Sequence, residues 1–288
     1  PIYNEKYVTK RLINSVCDLD YPKEKLCIMV LDDSDDNTTE QIAELVENYK
    51  GKGFDISHVR RGTRQGYKAG ALKYAMKYTK SEFVAIFDAD FIPPKWYLKK
   101  AIPYFSKPNI GFVQCRWGHV NENYSALTQA QALSLDFHFL VEQRAKSNSH
   151  LFMNFNGTAG IWRKECIEDS GGWHTATLVE DLDLSYRAQM KGWKCLFIPD
   201  IVVNAELPVQ MNGAKRQQFR WAKGSIQCAI KLLGGILLKR KITIDAKLQA
   251  FVQLTRHIVF PLMLIQFLAL PILLASNVNL YIVSFLPV

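Results

Sequence analysis

The sequence predicts an α/β fold, a doubly wound and mostly parallel sheet with helices on both faces. Short runs of apolar and β-branched residues, such as 26–31 and 82–88, have the composition of buried parallel strands. Between such runs lie helical patterns with one apolar face, for example residues 39–50. Strands that alternate with helices are typical of βαβ units, which bind ligands at the carboxyl ends of their strands.

Length and charge narrow the class of protein. A chain of 288 residues is long enough for one large domain with a complete core, and its six cysteines show no C-x-x-C or zinc spacing. Much of the net charge of +9 comes from the stretch between Leu207 and Ile244, which contains no Asp or Glu. Because no base-reading motif accompanies this charge, we expect no nucleic-acid partner. An anionic membrane surface or a pyrophosphate suits it better.

The pattern assigns elements along the whole chain. The predicted strands are 26–31, 54–59, 82–88, 110–115 and a short strand within 154–163. The predicted helices are 6–17, 39–50, 66–78, 126–146 and 180–190. Thr38 or Thr39 is expected to cap the second helix, and Thr177 with Glu180 has the spacing of a capping box for the last.

Two carboxylates follow the strand at 82–88. Asp88 and Asp90 are two residues apart on an extended segment, so their side chains can project in the same direction. Two hard oxygen ligands beside a crevice suit Mg²⁺ or Mn²⁺ shared with the phosphates of a substrate. A strand that ends in a solvated turn would give the same pattern.

A second group of polar residues follows the strand at 26–31. Asp32 and Asp33 either form a capped turn or accept hydrogen bonds from a nucleotide base or ribose. Further on, Gly66 and Gly70 flank Lys68, and this spacing fits either a tight turn or a diphosphate site at a helix N-terminus.

Two further motifs stand late in the chain. Glu180 is explained by the capping box, whereas Asp181 is not needed for it and is a candidate general base. Gln217, Arg220 and Trp221 share one face of a predicted helix. An amphipathic helix on a membrane surface would also carry Arg and Trp in these positions.

The C-terminal part has the composition of a membrane segment. Residues 258–275 are apolar apart from Gln266. The length of this run is at the lower limit for a helix that spans a bilayer. A second apolar run follows residues 277–279, and residues 1–5 lack the strand expected before them. The sequence therefore predicts an internal fragment of a longer membrane protein.

Taken in order, these motifs resemble the signature of the inverting, membrane-integrated family 2 glycosyltransferases, whose GT-A fold is Rossmann-like. The motifs are Asp32-Asp33, Asp88-Ala89-Asp90, Glu180-Asp181 and Gln217-x-x-Arg220-Trp221. The segments 1–5, 66–72, 87–91, 155–163 and 179–181 are most similar to the cellulose-synthase-like A and C enzymes. Those enzymes make β-mannan, glucomannan or the β-glucan backbone of xyloglucan.

The resemblance implies roles in donor binding. Asp33, together with Asp32, would bind the base and ribose of the nucleotide, and Lys68 would contact the diphosphate. Asp88 and Asp90 would hold Mg²⁺ or Mn²⁺, with Asp88 also part of the nucleotide-sugar site. Because the plant enzymes carry His where Phe219 stands, the donor stays open between GDP-mannose and UDP-glucose.

The resemblance also implies roles in transfer. Asp181 would be the base that deprotonates the acceptor hydroxyl, with Glu180 beside it in catalysis and acceptor binding. Gln217 and Arg220 would hold the diphosphate, and Trp221 would stack beneath the terminal sugar of the acceptor. Sugars stack on aromatic rings because their C–H faces are apolar.

The resulting organisation has three segments. A catalytic GT-A domain at 1–212 precedes amphipathic interface helices at 213–253 and a truncated transmembrane segment at 254–288. We expect an integral protein of the cytoplasmic or inner membrane whose catalytic domain faces the cytosol.

Rival functions belong to other classes. A non-processive transferase could use a ceramide-type or polyprenyl-phosphate acceptor, and a binding protein could have this fold without catalysis. A dinucleotide-binding dehydrogenase is disfavoured because no G-x-G-x-x-G follows a first strand.

Overall fold

The computed structural model describes residues 1–275. Its strands are β1 (Cys27–Leu31), β2 (Asp55–Val59), β3 (Phe83–Ile86), β4 (Ile110–His119), β5 (Gly160–Arg163) and β6 (Lys194–Ala205). The first helices are α1 (Thr9–Cys17), α2 (Thr38–Gly51), α3 (Tyr67–Met76), α4 (Tyr97–Ala101) and α5 (Ala126–Asp136). A π-helical segment (Phe137–Gln143) joins α5 to α6 (Arg144–Asn148). Later helices are α7 (Lys164–Asp169), α8 (Glu180–Met190), α9 (Met211–Leu238), α10 (Ile244–Thr255) and α11 (Val259–Ala275).

The strands of the described part form two sheets. β1 and β2 pair in parallel, and the second sheet has the order β3-β5-β4-β6. β4 and β6 are parallel, whereas β5 is antiparallel to both of its neighbours. The α/β architecture is as predicted, but the expected single, mostly parallel sheet is not what these strands form.

The direction of β5 follows from the path of the loop before it. Gly160 begins β5 opposite Ile86, the last residue of β3, because the preceding loop approaches from the carboxyl end of β3. An antiparallel strand in an otherwise parallel sheet is common in α/β folds. This arrangement brings residues 154–158 beside Asp88, which follows β3.

Aromatic side chains fill the space between the larger sheet and its helices. The rings of Phe112 on β4 and Trp162 on β5 are fully buried, with centroids 4.5 Å apart. Trp173 packs edge-on against Trp162 at 6.0 Å. Burying a large apolar side chain fully stabilises a fold by about 1.5–3 kcal/mol, so this cluster holds β4 and β5 firmly.

Both predicted helix caps are wrong. Helix α2 begins at Thr38, whose N–H donates to Oδ1 of Asp36 at 2.9 Å. Helix α8 begins at Glu180, and the buried hydroxyl of Thr177 has no hydrogen-bond partner within residues 1–275. The reason lies in packing: Val179 precedes α8 and is buried against α9, so tertiary contact overrides the local cap.

The C-terminal helices differ in how they pack. Helix α9 is 28 residues long and buries one face against α8 and α10. The helical stretch Ile244–Ile272, which includes α10 and most of α11, is long and apolar enough to cross a membrane, judged by length and composition alone. The predicted second apolar run lies outside the described residues.

Candidate functional site

Asp88 lies at the carboxyl end of β3, where loop 154–158 crosses. Its backbone N–H donates to the hydroxyl of Thr158 at 2.9 Å. Its Oδ1 atom lies 2.5 Å from Nζ of Lys68, in the first turn of α3. Lys68 also donates to the carbonyl oxygen of Gly157 at 3.0 Å. The predicted diphosphate lysine and the first predicted metal ligand are therefore in direct contact.

The charges around Lys68 perturb one another. Burial lowers the pKa of Lys68, but the negative charges of Asp88 and Glu180 outweigh it and raise this pKa overall. Burial, followed by the charge of Asp88, raises the pKa of Asp90 to about 7. Two nearby carboxylates that resist being ionised together favour a bound cation.

Asp181 stands on the other side of the same loop. Gly157 has a φ of +84°, and a Cβ atom there would lie 2.9 Å from Oδ2 of Asp181 and 3.3 Å from Nζ of Lys68. Only glycine adopts this backbone conformation without strain and leaves room for both side chains. Gly157 is therefore the point where Asp181 and the Lys68–Asp88 pair meet.

The carboxylates at the start of α8 have raised pKa values. Burial, followed by the charge of Glu180, raises the pKa of Asp181 to about 7, while the charge of Lys68 opposes the shift. Burial is also the main cause that raises the pKa of Glu180. A carboxyl group that titrates near neutral pH is suited to act as a general base.

Asp183 connects α8 with α9, and the sequence did not predict its role. Its side chain is fully buried and accepts hydrogen bonds at Oδ2 from Nε and Nη2 of Arg187, at 2.9 and 2.8 Å. Nζ of Lys231 on α9 lies 2.6 Å from its Oδ1. The spacing of four residues between Asp183 and Arg187 was the available signal, but the contact with Lys231 had none.

The Gln217–Trp221 motif lies on α9, close to the start of α8. A Cβ atom at Gly224 would lie 2.6 Å from Val179, the residue before α8. One turn earlier, Arg220 is exposed. Its positive charge opposes the rise in the pKa values of Glu180 and Asp181 without cancelling it. Gln217 and Trp221 are half-buried, and Trp221 packs against the apolar cluster between α8 and α9.

Asp32 and Asp33 are already engaged by protein groups. Asp32 is 2% exposed and accepts hydrogen bonds from the N–H of Ser34 and from His58 of β2, both at 2.8 Å. Asp33 accepts from Nε of Arg61 at 2.8 Å and also pairs with Nη2 of the same residue. Of the two carboxylates, Asp32 links β1 to β2, whereas Asp33 anchors an arginine that also contacts the carbonyl of Tyr67 beside Lys68.

Sequence comparison gives the wider context. The family model described as "Glycosyltransferase like family 2" matches residues 1–224. Glucomannan 4-beta-mannosyltransferase 2 of Arabidopsis thaliana is 44% identical over 247 residues, 84% of this chain and 46% of that protein. Glucomannan 4-beta-mannosyltransferase 1 of Oryza sativa subsp. japonica is 41% identical over 253 residues, 86% of this chain and 49% of that protein. The chain spans about half the length of these relatives.

Solved structures share the fold. The mannosyltransferase PcManGT of Pyrobaculum calidifontis, in complex with GDP-Man and Mn²⁺, has a TM-score of 0.71 and 24% identity. The match covers 88% of this chain and 68% of that one. TarS of S. aureus (residues 1–349) has a TM-score of 0.63 and 18% identity, covering 89% and 69% of the two chains. These matches confirm the GT-A-like fold that the sequence predicts.

Proposed function

Because this chain belongs to glycosyltransferase family 2, we propose that it transfers a hexose from a nucleotide sugar to the non-reducing end of a growing β-linked polysaccharide. The observation that carries the proposal is the position of Gly157 between Asp181 and the Lys68–Asp88 pair. One site would thus offer a base for the acceptor hydroxyl and the ammonium group of Lys68 for a leaving diphosphate.

The transfer is an in-line displacement at the anomeric carbon. The acceptor oxygen forms a bond to that carbon while the bond to the diphosphate oxygen breaks, so an α-linked donor becomes a β-linked product. Asp181 takes the proton of the acceptor hydroxyl, for which its pKa of about 7 is suited. Lys68 and Arg220 stabilise the negative charge that develops on the leaving nucleoside diphosphate.

A divalent cation, Mg²⁺ or Mn²⁺, fits the carboxylates that follow β3. Asp88 and Asp90 are hard oxygen ligands, and the charge of Asp88 contributes to the raised pKa of Asp90. Within residues 1–275 no group of three His, Cys, Asp or Glu could hold a metal ion, so phosphate oxygens and water would complete the coordination. When bound, the cation would neutralise charge on the diphosphate.

We infer a GDP-mannose donor, with UDP-glucose as the alternative. The relatives named as glucomannan 4-beta-mannosyltransferases support mannose, as does the P. calidifontis neighbour in complex with GDP-Man. Trp221 would form the platform for the terminal sugar of the acceptor, and Glu180 would bind one of its hydroxyls. Asp33 would contact the nucleotide once hydrogen bonds to the nucleotide replace those that it accepts from Arg61.

We infer a membrane location, and the composition of the C-terminal helices supports it. The apolar helix α11, the later part of the candidate span Ile244–Ile272, would anchor the protein, and the basic residues of α9 and of 239–241 would lie on the cytosolic side. That orientation gives the active site access to cytosolic nucleotide sugars.

The test is a donor panel supplied to membranes that contain the full-length protein. We expect a β-mannan-degrading enzyme to release the label that GDP-mannose deposits in polymer. Label in a single lipid-linked sugar would favour the non-processive alternative. Consumption of no nucleotide sugar at all would refute the proposed function.

A further inference from the structure

Loop 154–158 contacts three of the charged residues of the site, Lys68, Asp88 and Asp181. The carbonyl oxygen of Gly157 accepts from Lys68, and the hydroxyl of Thr158 accepts from the N–H of Asp88. Gly157 also lies against the carboxylate of Asp181. A shift of this loop would therefore move the base and the Lys68–Asp88 pair relative to each other.

Asn156 fixes the middle of the loop. Its backbone N–H donates to Oε1 of Gln114 on β4 at 2.8 Å. Its side-chain amide lies between the buried Gln143 and the partly buried His138 of the π-helical segment, with Oδ1 2.8 Å from Gln143 and Nδ2 2.9 Å from His138.

The orientation of each amide follows from backbone partners. Gln143 accepts the N–H of Asn154 with Oε1 and donates to the carbonyl of Asn154 with Nε2, at 3.3 and 2.7 Å. Because Nε2 of Gln143 is a donor, the Asn156 atom that faces it must be the acceptor Oδ1. Nδ2 of Asn156 therefore donates to Nε2 of His138, and Nδ1 of His138 donates to Glu142 at 2.8 Å.

His138 and Gln143 form a clamp on the side-chain amide of Asn156, and the π-helical segment makes this clamp possible. In a π-helix the backbone hydrogen bonds run between residues five apart, so such residues lie nearly above one another. His138 and Gln143 are five apart within Phe137–Gln143, and both reach Asn156. In a regular α-helix, side chains five apart would point to different faces.

We propose that Asn156 is a positioning residue for glycosyl transfer, held by neutral His138 and by Gln143 so that the Gly157 carbonyl faces Lys68. This inference rests on the proposed function. Asn156 does not touch the reacting atoms. It sets the separation between Asp181 and the Lys68–Asp88 pair through the peptide bond that it shares with Gly157.

The clamp also reaches the C-terminal helices. Nε2 of Gln253 on α10 donates to Oδ1 of Asn154, and Gln253 is 9% exposed. The same loop thus connects the site with the helix that precedes α11. For this reason the experiment uses the full-length protein in membranes rather than an isolated domain.

The test compares kcat and KM for the donor in Asn156→Ala, His138→Ala and His138→Gln. Displacing reacting groups by about 1 Å costs up to about 10²-fold in rate, so we expect kcat to fall about 10- to 100-fold in the two alanine variants. KM should change less than kcat. His138→Gln keeps an acceptor for Nδ2 of Asn156 and should recover most of the rate. The double alanine variant should be no worse than Asn156→Ala, because that single variant already removes the contact with His138.

Gln131→Ala is the matched control. Gln131 lies on α5 and donates to the backbone carbonyls of Leu127 and Pro208 at 3.1 and 2.9 Å, away from the loop. Its removal should lower the melting temperature by an amount similar to His138→Ala and leave kcat unchanged. Wild-type kcat in Asn156→Ala, or additive losses in the double variant, would refute the positioning role. An inactive wild type would refute the proposed function and this inference with it.

Discussion

Nζ of Lys68 lies 2.5 Å from Oδ1 of Asp88, and the two residues come from different strand-and-helix units. In the protein without donor, each neutralises the charge of the other. If a diphosphate binds here as proposed, it would gain the ammonium group, and Asp88 would become free to share a cation with Asp90. Donor and metal should therefore bind together.

Asp90→Ala should abolish metal-dependent donor binding, since it removes one of the two carboxylates that follow β3. We expect the affinity for GDP-mannose in Mn²⁺ to fall by at least about 10-fold, measured by calorimetry. Asp36→Ala is the control, because Asp36 also follows a strand but only accepts from Thr38. Full wild-type affinity in excess chelator would contradict the metal assignment of Asp88 and Asp90.

Gly157→Ala should inactivate the protein, whereas Gly172→Ala should not. Both glycines have positive φ, +84° and +73°, so each substitution costs about 1–2 kcal/mol of strain. At Gly172 a Cβ atom meets nothing within 4 Å, but at Gly157 it crowds Asp181 and Lys68. Melting temperatures and transfer rates of both variants test this expectation. Equal rates in the two would mean that the crowding has no effect on transfer.

Trp221→Ala should shorten the polymer and largely spare donor binding, if the indole is the platform for the acceptor. Aromatic stacking is worth about 0.5–1.5 kcal/mol beyond area burial, so Trp221→Phe should keep partial activity. Phe219→Ala is the control, since Phe219 is 66% exposed on the same helix. Product sizing decides the matter, and unchanged length and rate in Trp221→Ala would exclude the platform.

The rate of transfer should rise with pH through neutrality. Burial and Glu180 favour the protonated form of Asp181 and raise its pKa to about 7, and only the ionised form accepts a proton. Below that value kcat should fall about tenfold per pH unit, and above it the rate should level off. Glu180→Gln removes one cause of the shift and should move the inflection to lower pH. A profile without an inflection near pH 7 would exclude Asp181 as the titrating base.

Much of the fold was predictable because apolar strands leave a local signal, even where the strand, like β3, lies at the edge of its sheet and is only partly buried. The apolar runs that became β1, β3 and β4 stand out, and the carboxylates that follow β3 were found from their position alone. The helix containing Gln217, Arg220 and Trp221 was predictable from spacing as well.

Other features depend on contacts between distant parts of the chain. The antiparallel direction of β5 is set by the point at which the preceding loop reaches the sheet, at the carboxyl end of β3. The four residues of β5 carry no signal for this direction. The capping box at Thr177 failed because Val179 is buried against α9. The π-helical segment, and the engagement of Asp32 by His58, likewise follow from tertiary structure rather than from a local pattern.

The most direct test of the account is Asp181→Asn, with turnover and donor affinity measured side by side in the full-length protein. The substitution keeps the shape of the side chain, including an oxygen for the N–H of Leu182, but it removes the base. We predict a rate at least about 10²-fold below wild type with nearly unchanged affinity for GDP-mannose. A variant that keeps more than about a tenth of the wild-type rate would contradict the assignment of Asp181 as the base.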